Sequence, residues 1–241
     1  DGNYTDAPDI ERRSDNFEIL FNSHESLGYE KHNLQAAWDF HTASTESIIG
    51  GMLHMREDAL IRLGDGGIGC NITSSEDNYG DDNMSFRRIR GTITTPQYLL
   101  NPETPPSLMS RDLNGTPLFT GYSEVPFTLV IPKTLADNNI SGPIVVFGHG
   151  FMGTGESTIS GGARAWTQAY NVSFLATDWY GWSNSDYDTV MNMLVDPSYF
   201  EYQADRLQQA MINKISMIRT IKGVCSDISE LYNNETKLVE T

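Results

Sequence analysis

The segment Pro143-Ile144-Val145-Val146-Phe147-Gly148-His149-Gly150-Phe151-Met152-Gly153 most constrains how this chain can fold. A short apolar run breaks off in a glycine-rich turn, the pattern of a strand buried in a parallel sheet. The turn then lies at the strand's carboxyl end, where open α/β sheets bind their ligands. A second apolar run over residues 172–177 ends on Asp178 and the aromatic loop Trp179-Tyr180-Gly181-Trp182. The fold expected is therefore α/β.

The remaining patterns supply an antiparallel start to the sheet. Residues 86–98 alternate, with Ile89, Gly91 and Ile93 set against Arg88, Arg90, Thr92 and Thr94, which predicts a strand with a polar face. Residues 124–135 predict a second strand, with Phe127, Leu129 and Ile131 on one side, and Asp137-Asn138-Asn139 predicts the turn after it. Upstream, residues 34–40 read as a short strand carrying Trp38 and Phe40 on one face. Residues 42–63 read as a helix, because Ile48, Met52, Met55, Ala59 and Leu63 recur at steps of three and four. Residues 71–85 read as a polar loop. Its Glu76, Asp77, Asp81 and Asp82 fail the helix-loop-helix calcium spacing, so no metal is assigned. A short helix is expected over 163–170, with its Trp166 packed between helices and sheet. A long helix is expected over 197–222, with Leu207, Met211, Ile215, Ile218 and Ile221 as its buried stripe and Gly223 as C-cap. Residues 226–241 read as a polar tail. The chain thus divides into an N-terminal extension, 1–85, and a main domain, 86–241.

Charge limits the partners. Acidic residues outnumber basic ones 32 to 16, and the net charge of −16 disfavours nucleic acid and anionic lipid. No run of eighteen apolar residues occurs, so no membrane span is expected. The polar opening Asp1-Gly2-Asn3 suits a mature or trimmed start. The two cysteines, Cys70 and Cys225, suit one long-range disulfide or two buried thiols, and spacing does not choose between them. Asn-X-Ser/Thr triplets start at Asn3, Asn71, Asn83, Asn114, Asn139, Asn171 and Asn234. They fit a secreted glycoprotein or simply an Asn-rich surface. Asn171 is placed at the entrance of a buried strand, which argues against a sugar there.

Two chemistries compete for the glycine turn. Gly148, Gly150 and Gly153 satisfy the dinucleotide pattern G-x-G-x-x-G, and Asp178 sits where a ribose-binding carboxylate belongs. That pattern requires a helix to open inside the motif. Residues 154–162 hold three glycines and four hydroxyl residues, a poor helix, and Glu156 would repel phosphates. Two strands also precede a motif that usually follows the first.

The strand ending in His149-Gly150 after an antiparallel pair resembles the α/β-hydrolase superfamily. Together with Ala176-Thr177-Asp178-Trp179-Tyr180-Gly181 it resembles secreted bacterial lipases and esterases, over residues 86–222 and more weakly over 34–64, where Ala36-Ala37-Trp38-Asp39-Phe40 adds to the likeness. The resemblance implies a partial hydrolase-like sheet and a secreted or periplasmic setting. It implies an ester or lipid-like substrate and no cofactor. It gives half of an oxyanion hole to the backbone N–H of Phe151 or Met152. Glycine at 148 and 150 would let the backbone close on a substrate oxygen, and His149 would hold the loop. His149, Gly150, Asp178, Trp179, Tyr180 and Trp182 would border the substrate.

The same resemblance exposes a gap. Its nucleophile lies in G-x-S-x-G, and no serine here fits; Ser157 and Ser183 each lack the second glycine. All five histidines, the last being His149, precede the place where the triad histidine belongs. Three expectations remain: a cleaved enzyme whose complementary C-terminal polypeptide carries the triad, a truncated sequence, or a non-catalytic binding or assembly module on half a hydrolase scaffold. A sheet stopping at its central strand would leave an apolar edge to be covered, which favours a complement.

Overall fold

The computed structural model describes residues 13–241, which form two compact units, up to Ile48 and from Ile49. In the first unit, helix α1 (Ser14–Ser26) buries none of its residues. Arg13 pairs with Asp39, and Lys31 lies over the Phe21 ring. The strand expected over 34–40 does not form. Trp38 and Phe40 are 69% and 77% exposed, with no ladder partner beside them.

The second unit opens with α2 (Gly51–Leu63), which buries Met55, Ala59 and Leu63. The helix expected from residue 42 begins as a π-turn, Glu46–Gly50, whose last residue Gly50 keeps helical angles (φ −56°, ψ −44°) ahead of Gly51. Three antiparallel strands follow: β1 (Cys70–Asp77), β2 (Ser85–Gln97) and β3 (Gly121–Pro132). The sequence reads β1 as a loop. Its acidic side chains instead face arginines of β2, with Glu76 opposite Arg88 and Asp77 opposite Arg87.

A short helix α3 (Lys133–Asp137) leads into β4 (Ile144–Val146). Helices α4 (Gly155–Ile159) and α5 (Arg164–Tyr170) then lead into β5 (Ser173–Ala176). The strand order is β1-β2-β3-β5-β4; β5 runs antiparallel to β3 and parallel to β4. This is a mixed sheet with helices, antiparallel at its start and parallel at its end. β5 is buried throughout. β4 is half-exposed, contrary to its apolar sequence, because it lies at the sheet edge.

Helices α6 (Tyr187–Val195) and α7 (Phe200–Lys222) complete the helical set. On one face of the sheet Ile89, Phe127 and Leu129 pack with Met217 and Ile221 of α7. On the other, Val130, Phe174 and Ala176 pack with Ile159 and Ala163. Trp166 of α5 is 56% exposed, not packed between layers.

The buried face of α7 is rotated from the expected stripe. Met211 and Ile218 are exposed, while Gln209, Asn213 and Lys214 are buried. Gln209 accepts the Tyr98 N–H and donates to the Pro96 carbonyl, so unpaired backbone at the end of β2 draws the polar face inward. Residues 226–241 are not a loose tail either. The hairpin β6 (Tyr232–Asn233) and β7 (Thr236–Lys237) turns Leu231, Leu238 and Val239 into the core. Cys70 and Cys225 form a disulfide, Cα to Cα 5.9 Å, tying β1 to the end of α7.

Candidate functional site

The loops after β4 and β5 meet through His149, which is 7% exposed. Its Nε2 accepts the Trp179 backbone N–H at 2.8 Å, and its Nδ1 lies 2.8 Å from the Gly150 carbonyl. An amide N–H donates and a carbonyl accepts, so in this geometry Nε2 is the acceptor and Nδ1 the donor. His149 therefore clips two loops together and has no ring nitrogen left for proton transfer.

The two proposed donors differ. The Met152 N–H donates to the Trp182 carbonyl at 2.9 Å, so it is closed to a ligand, and Met152 is not an oxyanion donor in this conformation. Its φ of 55° turns the loop so that Gly153 N–H reaches the Gly150 carbonyl at 3.0 Å. The Phe151 N–H has no acceptor among the described residues. The Phe151 ring is exposed and leans on Trp182, centroids 4.5 Å apart and planes tilted by 57°.

The glycines carry a different burden from the one expected. A Cβ at Gly148 or Gly150 would meet nothing, so open space borders this side of the loop. The tight positions are elsewhere. A Cβ at Gly155 would come within 2.9 Å of the Thr177 backbone, and Gly181 holds φ at +80° against α7.

Asp178 braces the adjacent turn. Its Oδ1 accepts the Gly155 N–H at 2.8 Å, at the first residue of α4. Thr154 caps the same helix by accepting the Ser157 N–H at 3.1 Å. A pyrophosphate would need the amide that Asp178 already holds.

Lys214, which the sequence reading passes over, lies beneath both loops. Its Nζ donates to the Thr177 carbonyl at 2.9 Å and to the Phe147 carbonyl at 3.4 Å, the last residues before each turn. It also sits 5.4 Å from the Trp179 ring centroid. Burial pulls its pKa down from 10.5 to about 8, and the Asp178 charge opposes that shift. The only sequence signal for it is a cation within an otherwise apolar helical stripe.

Tyr180 lines a cleft that none of residues 148–152 borders. It lies under Arg206, whose Nε donates to Asp186 at 2.5 Å, and burial raises its pKa. Ser183, weighed above as a nucleophile, is fully buried and donates to the same Asp186 carboxylate at 2.7 Å.

A cleft of about 810 Å³ opens beside the sheet, lined by Glu124, Thr154, Glu156, Asp178, Tyr180 and Arg206 among others. None of residues 148–152 lines it. Glu156 anchors its floor. Arg90 donates to both Glu156 oxygens at 2.9 Å, and Arg88 and Arg90 are shared with Glu76. The Arg90 contact, followed by the Arg90 and Arg88 charges, pulls the Glu156 pKa below 4.5. Among the described residues no three His, Cys, Asp or Glu side chains gather to share a metal ion.

Comparisons with protein-family models, with curated proteins and with solved structures return no match.

Proposed function

We propose that this chain is the oxyanion side of a secreted carboxylic ester hydrolase, lipase- or esterase-like, whose serine, acid and histidine come from outside residues 1–241. The observation that carries this reading is the Phe151 N–H, which lacks an acceptor on a turn whose Gly148 and Gly150 face open space. A donor fixed by the surrounding fold is what a developing oxyanion needs. His149 and Lys214 supply the fixing, one across the loops and one beneath the strand ends.

The sheet edge fits a complement. Gly142 donates to Leu238, and Glu240 donates to Gly142, so Val239 makes a single parallel bridge two residues ahead of β4. A slot along that edge is lined by Ile144, Val146, Ile218 and Ile221. A strand extending along it would bring its carboxyl end beside the His149 loop, where a nucleophile is needed.

Labelling with a fluorophosphonate tests the reading. The 241-residue chain alone takes up no label and hydrolyses no p-nitrophenyl ester. The assembly recovered from its producing cells labels at one serine outside these residues. Labelling of a serine within the chain, or of none in the assembly, overturns the proposal.

The second reading is a non-catalytic binding or assembly module. The separation of the cleft from residues 148–152 favours it. It predicts no serine label in any assembly. The dinucleotide reading is weakened by Asp178 on the Gly155 amide and by the antiparallel strands before β4.

A further inference from the structure

We infer that Asn83 and Asn171 are N-glycosylation acceptors, on a sugar-bearing pole at the end of the sheet opposite the His149 loop. All six described triplet asparagines are exposed, including Asn171, which caps α5 ahead of β5 and does not enter the strand. This reverses the sequence expectation for that residue.

Four of the six gather at one end. Asn139 and Asn171 precede β4 and β5, Asn83 precedes β2 where that strand meets the end of β3, and Asn234 tips the β6–β7 hairpin. The Asp178 loop lies beyond β5, about 20 Å along the strand direction from Asn171. Sugars on this pole leave the loops after β4 and β5 open.

Backbone geometry alone explains an asparagine at each of the four positions. The φ angles of Asn83, Asn139, Asn171 and Asn234 are 57°, 53°, 55° and 53°, the left-handed region that asparagine tolerates. Asn78 is the same at 53°, yet has no hydroxyl two residues on. Geometry does not explain the hydroxyls. Ser85 and Ser173, two residues after Asn83 and Asn171, are 1% and 0% exposed, and neither Oγ has a partner. A buried hydroxyl without a partner costs stability that alanine would not. The hydroxyl is what the acceptor triplet requires.

In the transfer, Asn Nδ2 attacks the anomeric carbon of a polyprenyl-pyrophosphate-linked oligosaccharide. A carbon–nitrogen bond forms, the carbon–oxygen bond to pyrophosphate breaks, the amide proton passes to base, and the lipid pyrophosphate leaves. The inference rests on the secreted setting proposed above and not on ester chemistry, so the two fail separately.

The test is glycopeptide mapping of the protein recovered from its producing cells, before and after peptide N-glycosidase. Sugar on Asn83 and Asn171 is the result expected. Expressed with a secretion leader in a eukaryotic line, S85A and S173A each lose one glycan mass without a lower thermal midpoint. S123A, a buried unpartnered serine outside any triplet, keeps every glycan. Unmodified asparagine at both positions in the native protein overturns the inference.

Discussion

The His149 ring holds the Trp179 backbone N–H at 2.8 Å and so joins the loop after β4 to the loop after β5. His149→Ala leaves that amide without an acceptor in a mostly buried setting. A loss of about 1–3 kcal/mol is expected in urea unfolding. Hydrogen exchange at the Trp179 amide should speed up in step, while amides in β2 stay protected. Unchanged exchange at Trp179 would show that the clip is not needed.

Lys214 gives a pH signature. Its folded pKa, about 8, lies below the ordinary 10.5. Between those values the unfolded chain binds more protons than the folded one, so stability from this group rises with pH across that window. Below pH 8 both states are protonated and the full cost of burial is present. The wild-type stability measured against Lys214→Met should therefore improve between pH 8 and 10.5, by up to about 3 kcal/mol. A flat difference would contradict the burial of a charged amine.

Glu156 behaves in the opposite sense. Its folded pKa lies below 4.5, held down first by Arg90. Its contribution is complete above pH 4.5 and is lost as pH falls through the depressed value. The carboxylate is partly exposed, so Glu156→Gln costs about 1 kcal/mol or less at pH 7. That gap should close in acid. Paired urea titrations at pH 7 and pH 3 check it.

These two groups also mark what the sequence could and could not disclose. The alternation in β2 and β3 is local, and so is the apolar run of β5; each is legible because one strand face is buried. The identity of β1 is not local. Glu76 looks like a solvated loop acid until Arg88 and Arg90 are placed across from it. The buried face of α7 is obscured similarly, since Gln209 and Asn213 turn inward only to meet backbone and side-chain groups near the end of β2. At the candidate site the glycine turn and His149 are visible in sequence. Lys214 is not, because its partners are carbonyls at the ends of two distant strands.

The Cys70–Cys225 disulfide spans 155 residues and joins the first strand of the sheet to the end of the long helix. Replacing both cysteines with alanine should lower stability by about 2–5 kcal/mol, read from the denaturant midpoint with the slope checked. Reductant should shift the wild type by a similar amount and leave the double variant unmoved. Equal response of both proteins to reductant would exclude a disulfide in solution.

The central claim is that the Phe151 amide awaits a negatively charged oxygen. A crystal structure of the proposed assembly inhibited by a phosphonate ester tests it directly. The phosphoryl oxygen should lie about 2.7–3.1 Å from the Phe151 nitrogen, with His149 still clipped to Trp179. A phosphoryl oxygen held elsewhere, with the Phe151 N–H turned onto a protein carbonyl, would contradict the account.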